Sequence, residues 1–254
     1  MGNFFFKNNS TNTTNTTNTI TNSYKIKKTE VIKSDKDLKI NKFKFKIDLE
    51  KYEIKFINSF NDELDDKYIK LFKRYKRIIF GFSFNHKIKN KIPTNIIFIQ
   101  FAHNFNQSID NMILDDDTDN SKLIELMFGN HFNQPVNNLF QGIEKITFGY
   151  KFNQDVSNLP TTLEYLKFDN DFNQSVDYLP SSLICVIFGN NFNQSINNLP
   201  SLIEELDICG NKYNYPIQIL PNELKKIKLN SQYYSANLEI LKIIINPNIL
   251  IQLN

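Results

Sequence analysis

Histidines, thiols, an acidic run and a recurring side-chain amide are the groups in this chain that could carry chemistry. His86, His103 and His131 fall in successive sequence units, near but not in one column. Zinc would need their imidazoles to converge on one point, and this scatter reads instead as surface polarity. DDDTDN, from Asp115 to Asn120, opens like a calcium loop. It has Asn120 where the loop's sharp turn wants Gly, and Leu126 where the bidentate Glu belongs, so it reads as a solvated acidic loop. Cys185 and Cys209 form no C-x-x-C pair, and two thiols do not make a disulfide framework; both read as reduced, in a cytosolic or nuclear setting. No phosphate-binding, dinucleotide, zincin or nucleophile-elbow motif is present. Nothing assembles a nucleophile, a base and an oxyanion donor, so the sequence points away from an enzyme, a cofactor, a metal site and a small-molecule substrate.

The amide is different, because it keeps time. An Asn follows an aromatic residue at Phe84-Asn85, Phe105-Asn106, Phe132-Asn133, Phe152-Asn153, Phe172-Asn173, Phe192-Asn193 and the variant Tyr213-Asn214. The steps are 21, 27, 20, 20, 20 and 21 residues, and the long one holds the acidic run. A fixed period near 20 is a repeat architecture. Each unit approximates L-x-x-L-x-F-G-x-x-F-N-Q-x-[IV]-x-x-L-P. Leu166 and Phe168 stand two apart and so share one side of a short strand. Gly149 and Gly189 follow that strand, where a tight turn is expected. Pro160, Pro180, Pro200 and Pro221 follow the last apolar column and suit a rigid outer bend. One coil buries too little to offset its ordering cost, so coils must stack. The Asn row is expected to be a buried ladder, its amide bonding backbone groups of its own coil and the next.

Elsewhere the chain changes character. Residues 1–24 are Asn/Thr-rich, with little to bury, and are expected to be a disordered tail. The apolar start is only Phe4–Phe6, too short for a secretory signal, and Phe6 stands where myristoylation at Gly2 wants Ser or Thr. Residues 30–77 read as an N-terminal cap: Ile40, Phe43, Phe45, Ile47 and Leu49 alternate with lysines, with strand period from Phe43 onward, then come a degenerate repeat with Phe56 and Phe60 in its aromatic columns and a helix from 62 to 77. Asn61 or Asp62 is the expected helix cap; Leu64, Tyr68, Leu71, Phe72 and Tyr75 form the apolar stripe. Residues 78–230 are the repeats, and 231–254 are expected to add a final strand that closes the stack.

These units, above all the three copies from Phe148 to Leu206, resemble the FNIP repeat, a relative of the leucine-rich repeat. The resemblance covers about residues 75–230 and implies a β-rich solenoid, a leucine-rich-repeat-like right-handed coil with short parallel strands. Some members of that family carry an F-box before the repeats, which would imply an adaptor recruiting substrates to a ubiquitin ligase through residues 30–77. No Leu-Pro-x-Glu opening precedes the helix here, which speaks against that alternative.

The first expectation is a non-enzymatic protein-interaction scaffold with a protein partner. Net charge is +3, from 30 basic and 27 acidic residues, too even for binding nucleic acid by phosphate neutralisation. No apolar run is long enough to span a membrane. In such a solenoid the outward strand positions line one sheet face, and Phe98, Met127, Tyr165, Lys167 and Ile187 are the candidate contacts there.

Overall fold

The computed structural model describes residues 44–110, 112 and 123–254, all within one compact unit, Ile40–Asn254. The expected tail at 1–24, the start of the cap strand at Ile40 and Phe43, and the Asp115–Asn120 loop lie outside the described residues. The described chain is a β-solenoid. One sheet runs in sequence order through β1 (Phe45–Asp48), β2 (Glu53–Phe56), β3 (Arg77–Ile79), β4 (Phe98–Gln100), β5 (Glu125–Met127), β6 (Lys145–Thr147), β7 (Tyr165–Lys167), β8 (Cys185–Ile187), β9 (Glu205–Ile208), β10 (Lys226–Leu229) and β11 (Leu250–Leu253). From β2 onward each strand pairs in parallel with the next.

Strand period explains the layering. The central residue of each strand faces in: Ile54, Ile78, Ile99, Leu126, Ile146, Leu166, Val186, Leu206 and Ile227 are all buried. They sit in register, so each apolar side chain is covered by the coil before and the coil after. Two aromatic rows lie beside them. One is Phe56, Phe80, Phe101, Phe128, Phe148, Phe168 and Phe188, with ring centroids 5.2–5.9 Å apart between coils. The other is Phe60, Phe84, Phe105, Phe132, Phe152, Phe172, Phe192 and Tyr213, at 5.7–6.2 Å. Within a coil the two rings stack at 3.6–4.4 Å. Phe56 and Phe60 thus stand in the aromatic columns that the degenerate unit suggests.

The glycines have a different cause from the one the sequence suggests. Neither Gly149 nor Gly189 has positive φ. A Cβ on Gly149 would lie 2.3 Å from the Gly129 carbonyl oxygen, and one on Gly189 2.2 Å from that of Asp169. Close approach of the preceding coil, not turn geometry, demands glycine there. The prolines open turns just before the strands: the Pro160 and Pro180 carbonyls accept from the amides of Leu163 and Leu183 at 3.1 and 3.2 Å. Where the equivalent turn lacks proline, Gly142 adopts φ 117°, a conformation that favours glycine.

Both ends depart from the repeat. At the start, β1 folds back antiparallel on β2 through residues 49–52, pairing Phe45 with Phe56. Asp48 fixes this turn by accepting from the amides of Glu50 and Lys51 at 3.1 and 3.2 Å, and the strand ends there, short of Leu49. The helix is α1 (Asp66–Phe72), shorter than 62–77. Its cap is Asp65, whose carboxylate accepts from the amides of Lys67 and Tyr68. Asn61 and Asp62 are not caps, because both are engaged elsewhere: Asp62 pairs with Lys44, and Asn61 belongs to the amide row. The apolar stripe holds, with Leu64, Tyr68, Leu71, Phe72 and Tyr75 all buried. At the far end α2 (Ser231–Ala236) and α3 (Leu238–Ile244) lead into β11. The added strand does not close the stack, since Leu250 and Leu253 stay 62% and 46% exposed.

Candidate functional site

The amide row comes first, because it could have been a ligand site. Asn61, Asn85, Asn106, Asn133, Asn153, Asn173 and Asn193 each accept, on Oδ1, the backbone N–H of the Asn one coil on, at 2.8–3.0 Å. Gln107, Gln134, Gln154, Gln174 and Gln194 donate their side-chain N–H to the same oxygens at 2.9–3.2 Å. Two residues earlier, backbone pairs link the coils directly, as Asp171 N–H to the Tyr150 carbonyl at 2.9 Å. The Asn oxygen continues that seam where backbone acceptors turn away. The row is half-buried to exposed, not buried as expected, because each Asn follows a Phe that takes the inward position. Its acceptors are spent on the fold. The glutamines recur in the same phrase, but only the geometry shows that they share the Asn oxygens; Asn61 is a member the 20-residue spacing did not reveal, and the FN phrase at Phe60-Asn61 was the available signal.

The histidines divide. His103 and His131 meet with ring centroids 4.9 Å apart, and Phe82 stacks on His103 at 4.4 Å. His86 lies apart, against Phe84. Burial, with Lys151 and His103 nearby, holds His131 below the usual histidine range. Among the described residues no group of three or more His, Cys, Asp or Glu could hold a metal ion. Cys185 and Cys209 are free thiols. Burial, helped by the Glu205 carboxylate, pushes Cys185 up to about 11, so it is a poor nucleophile. Burial and the Asp207 carboxylate raise Cys209.

The outward sheet face remains. Its two columns run Arg77, Phe98, Glu125, Lys145, Tyr165, Cys185, Glu205, Lys226 and Ile79, Gln100, Met127, Thr147, Lys167, Ile187, Asp207, Lys228. The ends of this face are closed by charge. Arg77 reaches Glu53 at 3.2 Å; Lys226 reaches Glu205 and Lys228 reaches Asp207, each at 3.5 Å. Phe98, expected to be open, is 4% exposed: the Arg77 guanidinium lies over its ring, 3.7 Å from the centroid. Phe98 is therefore withdrawn from the face.

Between these ends, among the described residues, no ion pair joins the outward side chains of β5 to β8. Tyr165 and Cys185 are register neighbours, and Ile187 shares the strand of Cys185; all three are half-buried. Lys167 is exposed beside Ile187. Met127 is half-buried two strands from Tyr165, across Lys145 and Thr147. Burial pushes the Tyr165 phenol above its ordinary value, aided by Cys185, Glu125 and Asp207. A hollow of about 100 Å³ adjoins the patch, lined by Cys185, Ile187, Glu205, Asp207, Lys226 and Lys228. The helix α1, by contrast, spends Tyr68, Leu71 and Phe72 on the core. No helix among the described residues is long and apolar enough to cross a membrane.

Residues 155–191 match the FNIP Repeat family. Among solved structures, one titled "The crystal structure of CroV588 a novel circular LRR protein structure" is similar at 24% identity and a TM-score of 0.39. The match covers 73% of this chain and 47% of that one, so the chain spans about half that protein's length. The coil architecture rests on the strand registers above and not on that likeness. No curated protein matches. The matched segment falls within the run of coils of one continuous sheet, and its FN phrase recurs in the coils on either side.

Proposed function

We propose that this protein is a non-enzymatic interaction scaffold whose protein partner docks on the outward sheet face around Tyr165, Cys185 and Ile187, with Lys167 beside them and Met127 at the edge. The observation that carries this reading is the contrast along one face. Charged pairs occupy its two ends, whereas the middle leaves half-exposed apolar side chains with no ion pair across them. An apolar centre with a charged rim is the usual make-up of a protein contact, and tyrosine is favoured at its energetic centre. The partner's complementary surface would be apolar with an acidic group for Lys167. The free thiols suit a reducing compartment, the cytosol or nucleus.

Affinity capture from the native cell tests this, comparing the wild type with Met127→Asp/Tyr165→Asp. Circular dichroism confirms that the variant folds. A protein captured by the wild type and lost with the variant supports the face. Equal capture by both places the contact elsewhere.

A further inference from the structure

The two edges of the sheet are guarded differently. At the first edge, β1 carries Lys46 and Asp48, and Lys44 beside it pairs with Asp62. Charge on an edge strand is the ordinary defence against further strand pairing. At the last edge among the described residues, β11 reads LIQL, with no charged side chain. Its inner column, Ile251 and Leu253, lies in register with Ile227 and Leu229, which are buried, yet Leu253 is 46% exposed. In the same terminal coil α3 leaves Ile240 and Ile243 54% and 83% exposed. Its Glu239 and Lys242 pair with each other at 3.0 Å, so the side chains of α3 and β11 carry no net charge.

We infer that this end is covered by a second copy of the chain, with β11 pairing antiparallel to β11 about a two-fold axis at Ile251. Backbone parity fixes that register. Leu250 N–H donates to the Lys225 carbonyl at 2.8 Å, and Asn254 N–H to that of Leu229 at 3.1 Å. Alternate residues of a strand turn their polar groups to opposite sides, so Leu250, Gln252 and Asn254 face β10 while Ile251 and Leu253 aim theirs at the open edge. Centred on Ile251, the two copies exchange both N–H···O bonds of that residue. The pairing keeps the core sides of the two sheets together: Ile251 meets its own copy, and each Leu253 runs beside the other chain's Ile249. Docking on β1 instead would set the charged Lys46 against an uncharged strand with nothing to answer it. An isologous contact also closes on itself, where head-to-tail stacking would polymerise. This surface is separate from the sheet-face patch.

Sedimentation of the full chain from about 1 to about 100 μM should show a monomer passing to a dimer and no larger species. Ile243→Lys/Leu253→Lys, with unchanged circular dichroism, should raise the dimer Kd by about tenfold or more. A second test reads the register without weakening the fold. In a Cys185→Ser/Cys209→Ser background, Ile251→Cys places two thiols in one hydrogen-bonded pair. Their Cα atoms would be about 5.5 Å apart, within the disulfide range of about 4.4–6.8 Å. Oxidation should link two copies through Ile251→Cys and not through Gln252→Cys. A monomer across the whole range overturns the inference. So does a dimer indifferent to both lysines, or equal cross-linking at the two cysteine positions.

Discussion

The first coil and the last are both irregular, and the irregularities are of opposite kinds. In the first, α1 replaces the ordinary return arm, yet Phe56 and Phe60 still stack at 4.1 Å and Asn61 still accepts from Asn85. In the last, Tyr233 meets Tyr213 edge-on at 5.2 Å, and among the described residues the chain that follows donates no N–H to the Asn214 side chain. What stays constant in the first coil is the strand, the aromatic pair and the amide. The return arm is free to be helix, turn or longer loop. A coil is defined by what it hands to its successor.

The aromatic rows give the largest test of that contrast. Phe172→Ala, in an internal coil stacked on both sides, should cost about 3–5 kcal/mol in urea unfolding. Phe60→Ala should cost less, since among the described residues Phe84 stacks on it from one neighbouring coil and the other side has Tyr68 edge-on at 5.5 Å in place of a stacked ring. Equal losses would erase the difference between terminal and internal coils. Next, Gly81→Ala should cost about 1–3 kcal/mol, because its Cβ would lie 1.8 Å from the Ile57 carbonyl oxygen. A neutral result would show that the first coil is not clamped as the others are. Third, Asn173→Ala should cost about 1–2 kcal/mol by stranding the Asn193 amide and Gln194. Asn173→Asp keeps the acceptor and should lose less than half as much, whereas Asn214→Ala should change stability by no more than about 0.5 kcal/mol. A large effect at Asn214 would mean the ladder does not end there.

The smallest effect concerns pH. The folded state lowers the pKa of His131, so it favours the neutral ring. The associated stability is present above the unfolded value of about 6.5 and is lost as pH falls through the folded one. By NMR, His131 should titrate below that value, and Lys151→Met should move its midpoint upward. An unmoved midpoint would remove Lys151 as a cause.

Sequence spacing alone placed the strands from Arg77 to Lys228, because one inward residue between two outward ones is a local pattern repeated at a fixed interval. It also placed both aromatic columns and the buried side of α1. Asn61 was harder, since its step to Asn85 is 24 residues and it reads, with Asp62, as a helix cap; only side-chain geometry moves the cap to Asp65. The reason for the glycines was hidden because it lies in the neighbouring coil, about 20 residues away. The candidate face failed in the same manner at Phe98: its exposure is set by Arg77 on the adjacent strand, and a column of residue types does not show which side chain will lie over which ring.

The span from Phe105 to Phe132 is 27 residues where its neighbours have 21 and 20, yet the amide link across it is 2.9 Å, as in the shorter coils. The array counts phrases and is blind to the chain length between them. That makes the stretch after Asn106 a natural graft point: an epitope, a tag or a small foreign domain could be spliced in without altering how the flanking coils recognise one another.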